Sequence, residues 1–441
     1  MSPDLDGTTP RLVRRSRVPN AARLLRLPQA GDFPVLWAGN TVGLFGDELS
    51  RVALPTLAIL VLGARPLEVG LLAAAAWICW PFLAVLAGVW IDRASRVRVM
   101  ILGNLIRALV FGLVVLLAIA GQLNLPMLIG AAILVGAAGV FFELGNTAYV
   151  AEALPSSEIP LANSRLEASR SIAQVAGPGI AGALISAVGS VFVVAHSVAA
   201  FGASALLLRR IRLPPRTVTS HTRRFRAELV EGFTALRGEP VLLRLTLTAA
   251  ISNLGLVAAH TVLLLHLYRA LALDPAIAGV LLAFPGIGAL IGVAAANRLT
   301  ARVGVGWVLV VATVLESAFL AGIALAPGFA AVPLVAASLA LSAFWGVIWN
   351  IVAISVRQVA LPRHLQARVA AIRGAIGYSV IPVGGVAGGV MSELLSPALG
   401  VGSFAGTILI GASVGVVSGL PLLAPSVAPF RRWRFGQRWP Y

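Results

Sequence analysis

The sequence predicts an all-α membrane protein with twelve transmembrane helices in two six-helix pseudo-repeated bundles. Of its 441 residues, 59% are hydrophobic and only 12% are charged, and the mean hydropathy is +0.93. Twelve apolar runs approach or exceed the roughly 20 residues that a helix needs to cross a ~30 Å hydrocarbon core. The runs are continuous and rich in Leu, Ala, Val and Gly, which favours helices over the alternating pattern of membrane strands.

The predicted spans follow one another with short polar stretches between them. They cover residues 33–62, 68–91, 99–121, 124–152, 160–187, 190–208, 241–269, 276–300, 305–326, 331–357, 366–394 and 401–424. A polar stretch at 209–240 divides them into two groups of six. We therefore expect an Arg-rich N-terminal tail (1–32), a first bundle (33–208), a linker (209–240), a second bundle (241–424) and a C-terminal tail (425–441).

The charge distribution predicts the orientation in the membrane. All 34 basic residues are Arg, and the net charge is +17. With the N-terminus inside, the outer loops hold only Arg65 and Arg269, and the inner loops, the linker and the tails hold most of the others. By the positive-inside rule, we expect both termini in the cytoplasm and the chain in the cytoplasmic membrane. We expect no nucleic-acid partner, because no stretch of this sequence reads as a soluble domain that could carry the contacts.

The linker and a repeated motif indicate a duplicated architecture. Residues 223–237 have helical spacing and predict an interfacial helix between the bundles. Its apolar face would hold Phe225, Leu229, Phe233 and Leu236. The motif Ala-Leu-Pro follows span 4 at 153–155 and span 10 at 360–362, as a parallel repeat would require.

Five short motifs resemble one known family. Residues 88–98 read Gly-Val-Trp-Ile-Asp-Arg-Ala-Ser-Arg-Val-Arg. The others are Leu-Phe-Gly-Asp-Glu-Leu-Ser-Arg-Val-Ala-Leu-Pro (44–55), Phe-Phe-Glu-Leu-Gly-Asn-Thr-Ala (141–148), Leu-Ala-Asn-Ser-Arg-Leu-Glu-Ala-Ser-Arg (161–170) and Glu-Gly-Phe (231–233). The first is similar to the loop 2–3 signature of the major facilitator superfamily, and the others resemble its macrolide-efflux and siderophore-exporter branch. The resemblance covers residues 33–424 and implies a transporter.

The loop 2–3 motif contains Gly88, Asp92, Arg93, Arg96 and Arg98. Gly88 would let helices approach closely. Asp92 can pair locally or lie at a helix N-terminus, and the three Arg would hold the loop on the cytoplasmic side. The resemblance implies a latch that stabilises one of two access states, and the alternative is a topology signal only. In the second half Asn297 replaces the acid, so we expect no matching charged latch there.

Span 1 carries Asp47, Glu48 and Arg51 at a depth where an ionisable group costs at least ~2.5–3.5 kcal/mol. Asp47 and Arg51 are four residues apart, so we expect them to pair on one helix face. The pair is either structural, or Asp47 changes protonation as the bundles move. Glu48 would point towards the outer vestibule or another helix.

Three further charges inside predicted spans are candidates for a functional role. Arg107 is in span 3 and Glu143 in span 4, and Glu143 could compensate Arg107 or handle substrate or protons. Glu316 is the clear intramembrane acid of the second half, in span 9. The family resemblance implies a peripheral position for span 9, so a structural or lipid-facing role and a functional role both stay open.

Span 5 contains a glycine- and proline-rich motif made of Gly177, Pro178, Gly179 and Gly182. Glycines permit close packing, and Pro removes a backbone donor and bends the helix. The motif resembles the Gly-Pro motif of superfamily antiporters, which implies export. Ala181 occupies a position that is usually Gly, and an ordinary packing kink is the alternative.

We expect a secondary transporter that exports a drug-like, macrolide-like or siderophore-like compound in exchange for protons, by alternating access. Candidate cavity residues are Phe141, Phe142, Trp345 and Trp349, and the alternative is that these aromatic side chains form membrane-interface belts. We expect no enzyme, no cofactor and no metal, because nucleotide loops, catalytic triads and ligand-spaced His or Cys are missing from the sequence. The partners would be the substrate, protons and the lipid bilayer, with the chain as a monomer.

Two other functions stay open. Uptake of a small metabolite with protons would place polar residues from spans 1, 4, 7 and 10 towards the cavity, and Asn253 and Asn350 are few for a sugar carrier. A non-transporting membrane subunit or sensor would carry an added soluble domain.

Overall fold

The computed structural model describes residues 32–83, 95–155, 157–211, 225–326, 331–435, 437 and 439–440. Thirteen helices of more than ten residues make up this part of the chain. They are α1 (Phe33–Thr56), α2 (Pro66–Trp77), α3 (Arg96–Ile119), α4 (Leu125–Ala153), α5 (Ile159–Val188), α6 (Ser190–Leu208), α7 (Phe225–Gly238), α8 (Pro240–Leu265), α9 (Pro275–Val303), α10 (Val305–Ala324), α11 (Ala331–Ala360), α12 (Arg363–Leu399) and α13 (Gly402–Val417).

Twelve of these helices account for the twelve predicted spans. Among the described residues, 11 helices are long and apolar enough to cross a membrane, with α2 counted through its continuation to Leu83. The remaining span is α1, which contains Asp47, Glu48 and Arg51 and ends in a π-helical turn at Leu57–Val61. The other helix, α7, lies in the linker, where the sequence predicts it.

Local signals explain where several helices begin. Asn124 accepts a hydrogen bond from the Met127 amide at 3.0 Å and so caps α4. Asp274 caps α9 in the same way, through the Ala276 amide at 2.8 Å. Gly189 joins α5 to α6 with φ 87°, a backbone conformation that favours glycine. Predicted span 6 at 190–208 therefore coincides with α6.

The two bundles have the same internal packing. In the first bundle α1 packs on α5 and α6, α3 packs on α4 and α6, and α2 packs on α4. In the second bundle α8 packs on α12 and α13, α10 packs on α11 and α13, and α9 packs on α11. Each pair thus recurs at the equivalent position, which confirms the predicted pseudo-repeat. The main contacts between the bundles are α2 with α12 and α5 with α9.

The two ends of the molecule differ in Arg content. The connections near residues 62–65, 120–124, 189, 270–274 and 400–401 lie at one end, here called the Arg-poor end, where the described Arg residues are Arg65 and Arg269. The connections near 154–158, 209–211, 304 and 361–362 and the linker helix lie at the opposite, Arg-rich end.

The described apolar core joins the bundles at one end only. A single cluster at the Arg-poor end contains Leu57 and Val69 of the first bundle together with Leu263 and Leu281 of the second. At the Arg-rich end the first bundle has its own cluster, around Phe33 and Met100. The second bundle also has a separate cluster there, which contains Leu242, Leu309 and Val356. The described core therefore holds the bundles together at the Arg-poor end and leaves them separate at the Arg-rich end.

The linker helix α7 packs on α12 of the second bundle. Glu231 forms an ion pair with Arg368, and Gly232 lies against the same Arg368 and Ile372. Leu236 is 1% exposed, as its predicted apolar face requires, whereas Phe233 is 47% exposed. The side chains of Phe225 and Leu229 lie outside the described residues.

The C-terminal segment is folded against the second bundle. The sequence predicts that span 12 continues to residue 424, but α13 ends at Val417 and short helical turns follow at Leu420–Leu423, Pro425–Val427 and Ala428–Arg431. The Val305 amide donates to the Trp433 carbonyl at 2.9 Å. Phe430 and Trp433 are buried beside Trp439, which ties this segment to the start of α10.

Candidate functional site

The first bundle holds a cluster of six charged residues from four helices. Its members, here called the charge cluster, are Asp47, Glu48, Arg51, Arg107, Glu143 and Arg170. They come from α1, α3, α4 and α5, and three acids balance three Arg residues. This balance suits a site inside a membrane, where an unpaired charge is expensive.

Arg107 is the buried member of the charge cluster. Its side chain is 7% exposed and contacts the Asp47 carboxylate at 3.3 Å. The guanidinium also lies 5.4 Å from the centre of the Phe142 ring and 5.1 Å from that of Phe201, distances typical of cation–π contacts. Gly139 leaves the space for it, because a Cβ there would stand 2.6 Å from Arg107 Nη2. Asp47, with a 35% exposed side chain, is the more accessible partner.

The pairing that the sequence suggests within span 1 is wrong. Arg51 contacts Glu48 at 3.4 Å, and Asp47 pairs across helices with Arg107. The suggested compensation of Arg107 by Glu143 is also wrong, because Glu143 accepts a hydrogen bond from Arg170 at 2.8 Å. Arg170 lies inside predicted span 5, where a charge in an apolar run could have identified it.

Glu48 faces α5, as one of the two sequence-based alternatives required. It is 4% exposed, and its Cβ lies 2.5 Å from the place where a Cβ at Gly177 would stand. The span 5 motif therefore meets the charge cluster directly.

The other residues of the span 5 motif do not all have the same neighbours. Gly182 faces the second bundle, where an added Cβ would stand 2.6 Å from the Gly279 Cα. Pro178 is buried inside the continuous helix α5. Nothing lies within 4 Å of a Cβ at Gly179.

Polar contacts reinforce the joined bundles at the Arg-poor end. Arg65 and Glu393 form an ion pair at 3.3 Å, and the hydroxyls of Thr56 and Tyr268 are 3.0 Å apart. Arg269 donates to the Ile59 carbonyl at 3.2 Å. Each contact links the first bundle to the second.

Only part of the loop 2–3 motif can be placed. Gly88, Asp92 and Arg93 lie outside the described residues. Arg96 begins α3 and forms an ion pair with Glu152 of α4 at 2.7 Å, whereas Arg98 is exposed. Arg96 thus fixes the Arg-rich end of α3 against α4.

The second bundle forms a partly open cavity of about 430 Å³, here called the C-half cavity. Four helices line it with polar and aromatic side chains, which include Thr246, Asn253, Glu316, Trp349, Asn350 and Arg373. Glu316 belongs to α10 and lies against Gly346 of α11, where an added Cβ would stand 2.5 Å from its Oε1. The structure thus places Glu316 at a cavity and not at a purely lipid-facing position.

The four aromatic candidates have different surroundings. Trp349 lines the C-half cavity, whereas Phe142 packs on Arg107. Trp345 packs edge-on against Phe344 at 5.1 Å, and Phe141 packs beside Val140. Sequence reasoning missed Arg373, although a charge inside predicted span 11 is a usable signal.

Comparison with known proteins agrees with this architecture. The sequence pattern of the Major Facilitator Superfamily matches residues 36–381. The multidrug efflux pump Tap of Mycolicibacterium fortuitum is 28% identical over 374 residues, which cover 81% of this chain and 88% of Tap. A mutant of the nucleoside transporter NupG superposes with a TM-score of 0.71 at 14% identity, covering 89% of this chain and 99% of NupG.

A bacterial homologue of the iron transporter ferroportin has been solved in two states. Its inward-facing structure superposes with a TM-score of 0.67 at 18% identity, and its outward-facing structure with 0.53 at 19% identity. Both comparisons cover 89% of this chain and 98% of the other. The present structure is therefore more similar in shape to the inward-facing one.

Proposed function

Since the chain belongs to the major facilitator superfamily, we propose that it exports a drug-like, macrolide-like or siderophore-like compound in exchange for protons. It is a multi-pass membrane transport protein and not an enzyme. The efflux pump Tap, similar over most of both chains, supports the direction of transport.

The separation of the bundles at the Arg-rich end supports loading from the cytoplasm. By the positive-inside rule this end faces the cytoplasm, together with both termini and the linker. An apolar core that joins the bundles only at the opposite end favours access from the inside. Export then requires the contacts at the Arg-poor end to part, as alternating access between two repeats demands.

The ion pair of Asp47 and Arg107 carries the coupling proposal. Phe142, Phe201 and the gap at Gly139 hold the Arg107 guanidinium in one place, whereas Asp47 is partly open. A proton on Asp47 would replace Arg107 as the neutralising partner of the carboxylate. Proton binding would thereby release α1 from α3, and loss of the proton would restore the contact.

Proteoliposomes with an imposed pH difference test the proposal. A panel of fluorescent compounds of different charge, ethidium and ciprofloxacin among them, should accumulate when the lumen is acidic. Asp47→Asn should abolish this uphill movement and retain downhill exchange, with Arg298→Gln as the control for loss of an exposed charge. Uphill accumulation by Asp47→Asn vesicles would show that another residue carries the proton, and Glu143 would be the next candidate to test.

Proton-coupled uptake is a second candidate, favoured by one observation. Asn253 and Asn350 both line the C-half cavity, as a carrier of a polar metabolite would require. The same vesicles separate the two directions, because symport accumulates substrate when the lumen is alkaline.

The topology and the oligomeric state have their own tests. Reporter fusions at Arg216 and after Tyr441 should report the cytoplasm, and a periplasmic signal at either position would overturn the orientation. The purified chain should be a monomer by light scattering in detergent.

A further inference from the structure

The C-half cavity contains two residues of opposite charge that do not form an ion pair with each other. Glu316 and Arg373 both line it, and neither forms an ion pair or a side-chain hydrogen bond with another described residue. In the charge cluster of the first bundle, by contrast, every member has a partner. An acid and a guanidinium left without partners inside a membrane protein mark a site that something else completes.

Both charges lie several helical turns from the Arg-rich end of their helices. By helical rise from the Arg-rich end, Glu316 is ~16 Å into α10 and Arg373 is ~15 Å into α12, while Asn253 is ~20 Å into α8. Transporter substrates bind near the bilayer midplane, and ligand pockets have volumes of ~300–1,000 Å³. The cavity of about 430 Å³ therefore suits a compound of moderate size.

The two charges come from different walls of the cavity. Helices α10 and α12 are not among the pairs that pack extensively, and each packs instead on α11 or α8 and on α13. Gly346 leaves the room that the Glu316 carboxylate occupies beside α11. A ligand that reached both walls would have to carry its own two charges at opposite ends.

An aromatic donor from a third helix, α11, also lines the cavity. Trp349 lines the cavity, and its indole Nε1 is buried with no hydrogen-bond partner among the described residues. A buried donor without an acceptor costs ~1–3 kcal/mol, so an acceptor from a ligand would satisfy it. Its ring offers a flat apolar surface, and Asn253 and Asn350 add amide groups nearby.

We propose that the C-half cavity binds a zwitterionic aromatic compound. Its cationic amine lies against Glu316, its carboxylate or equivalent anion lies against Arg373, and its planar ring system packs on Trp349. This inference rests on the proposed transport function for its purpose, although binding itself can be measured without transport.

A matched ligand series tests the charge rule on the full chain in lipid nanodiscs. Ciprofloxacin is the zwitterion, its ethyl ester keeps only the amine charge, its N-acetyl derivative keeps only the carboxylate, and the doubly blocked compound has neither. Fluorescence anisotropy gives the Kd of each. The wild type should bind ciprofloxacin at least roughly tenfold more tightly than either singly charged compound, which corresponds to ~1.4 kcal/mol for each lost contact.

Two variants assign the charges to the two residues. Glu316→Gln should weaken the binding of the two amine-bearing compounds by roughly tenfold and leave the binding of the two N-acetyl compounds unchanged. Arg373→Gln should weaken the two carboxylate-bearing compounds and leave the two esters unchanged. Each variant serves as the control for the other, because a misfolded cavity would weaken all four compounds equally.

Equal affinity of the wild type for all four compounds would overturn the proposal, even if a variant failed to fold. The proposal would also be overturned if the wild type preferred compounds with only one sign of charge. Weaker binding of the same compounds by both variants would overturn it too. Acid-lumen vesicles separate this failure from that of the proposed function. Uphill transport without the charge preference in binding would support export and reject the proposed binding site. The charge preference without uphill transport would support the binding site and reject proton-coupled export.

Discussion

The Cβ of Glu48 on α1 lies where Gly177 on α5 has no side chain, only 2.5 Å from the position that a Cβ at 177 would take. The buried acid Glu48 and the motif glycine Gly177 are therefore in direct contact. The glycine is needed at this position because Glu48 is buried against it, with 4% of its surface exposed. The span 5 motif and the charge cluster thus form one continuous structural unit.

Gly177→Ala should destabilise the protein, because the new methyl group would overlap the Glu48 Cβ. Overpacking of this kind costs ~1–3 kcal/mol. Gly179→Ala is the matched control, since nothing lies within 4 Å of a Cβ there. Thermal unfolding in detergent should give a lower midpoint for Gly177→Ala only. Equal midpoints for the two variants would show that α1 and α5 separate easily at this point.

Asp47→Asn should destabilise the fold because it leaves the Arg107 guanidinium buried without a carboxylate. We expect ~1–3 kcal/mol, below the cost of breaking a fully buried pair, because the Asp47 side chain is 35% exposed. The double variant Asp47→Asn/Arg107→Gln should recover part of the loss. Arg51→Gln is the control, with a side chain that is 60% exposed and an expected change below ~1 kcal/mol. Additive effects of Asp47→Asn and Arg107→Gln in unfolding measurements would contradict the pairing.

Ala272→Gly should stabilise the protein, whereas Gly63→Ala should destabilise it. Both residues follow a π-helical turn and have positive φ, 52° at Ala272 and 67° at Gly63. A left-handed backbone costs roughly 1–2 kcal/mol for an L-residue with a Cβ. Nothing lies within 4 Å of a Cβ at Gly63, so its change reports the backbone alone. The two unfolding midpoints should move in opposite directions, and a shift in the same direction would reject the backbone explanation.

Glu239→Gln should stabilise the protein at neutral pH more than at acidic pH. Burial raises the pKa of the Glu239 carboxyl from 4.5, and a hydrogen bond with Trp439 lowers that pKa in part. Since the folded pKa lies above the unfolded one, the stability that the neutral carboxyl provides below pH ~4.5 is lost as the pH rises through the folded pKa. The gain from Gln should therefore be greater at pH 7 than at pH 4 in thermal unfolding. The same gain at both pH values would mean that Glu239 is not desolvated by the fold.

The helices could be predicted because length and continuous hydropathy are local properties of a membrane span. Gly189 and Gly304 mark where α6 and α10 begin, and the predicted starts agree with the helices. The partner of Asp47 could not be predicted in this way. Spacing along α1 identifies only neighbours on the same helix, whereas Arg107 reaches Asp47 from α3.

The C-half cavity and the C-terminal segment also could not be predicted from the local sequence. Glu316 is visible in the sequence as an intramembrane acid, but its access to the cavity depends on the missing side chain of Gly346 on another helix. The Arg residues around Trp433 indicate a tail, and its burial depends on the Val305 amide, which donates to the Trp433 carbonyl from another helix. Both outcomes depend on tertiary contacts that no local pattern encodes.

The two π-helical turns lie at equivalent positions, at the ends of α1 and α8. Leu57–Val61 and His266–Ala270 share no residue pattern, yet their backbones bond alike, with Leu62 to Leu57 and Ala64 to Ala58 matched by Leu271 to His266 and Leu273 to Leu267. A π turn accommodates one residue more than an α turn. An extra residue at the same point of both bundles is what duplication of a bundle that already contained it would produce. The extra residue therefore aligns the two halves at this point, together with Pro66 and Pro275, which begin the next helix of each bundle.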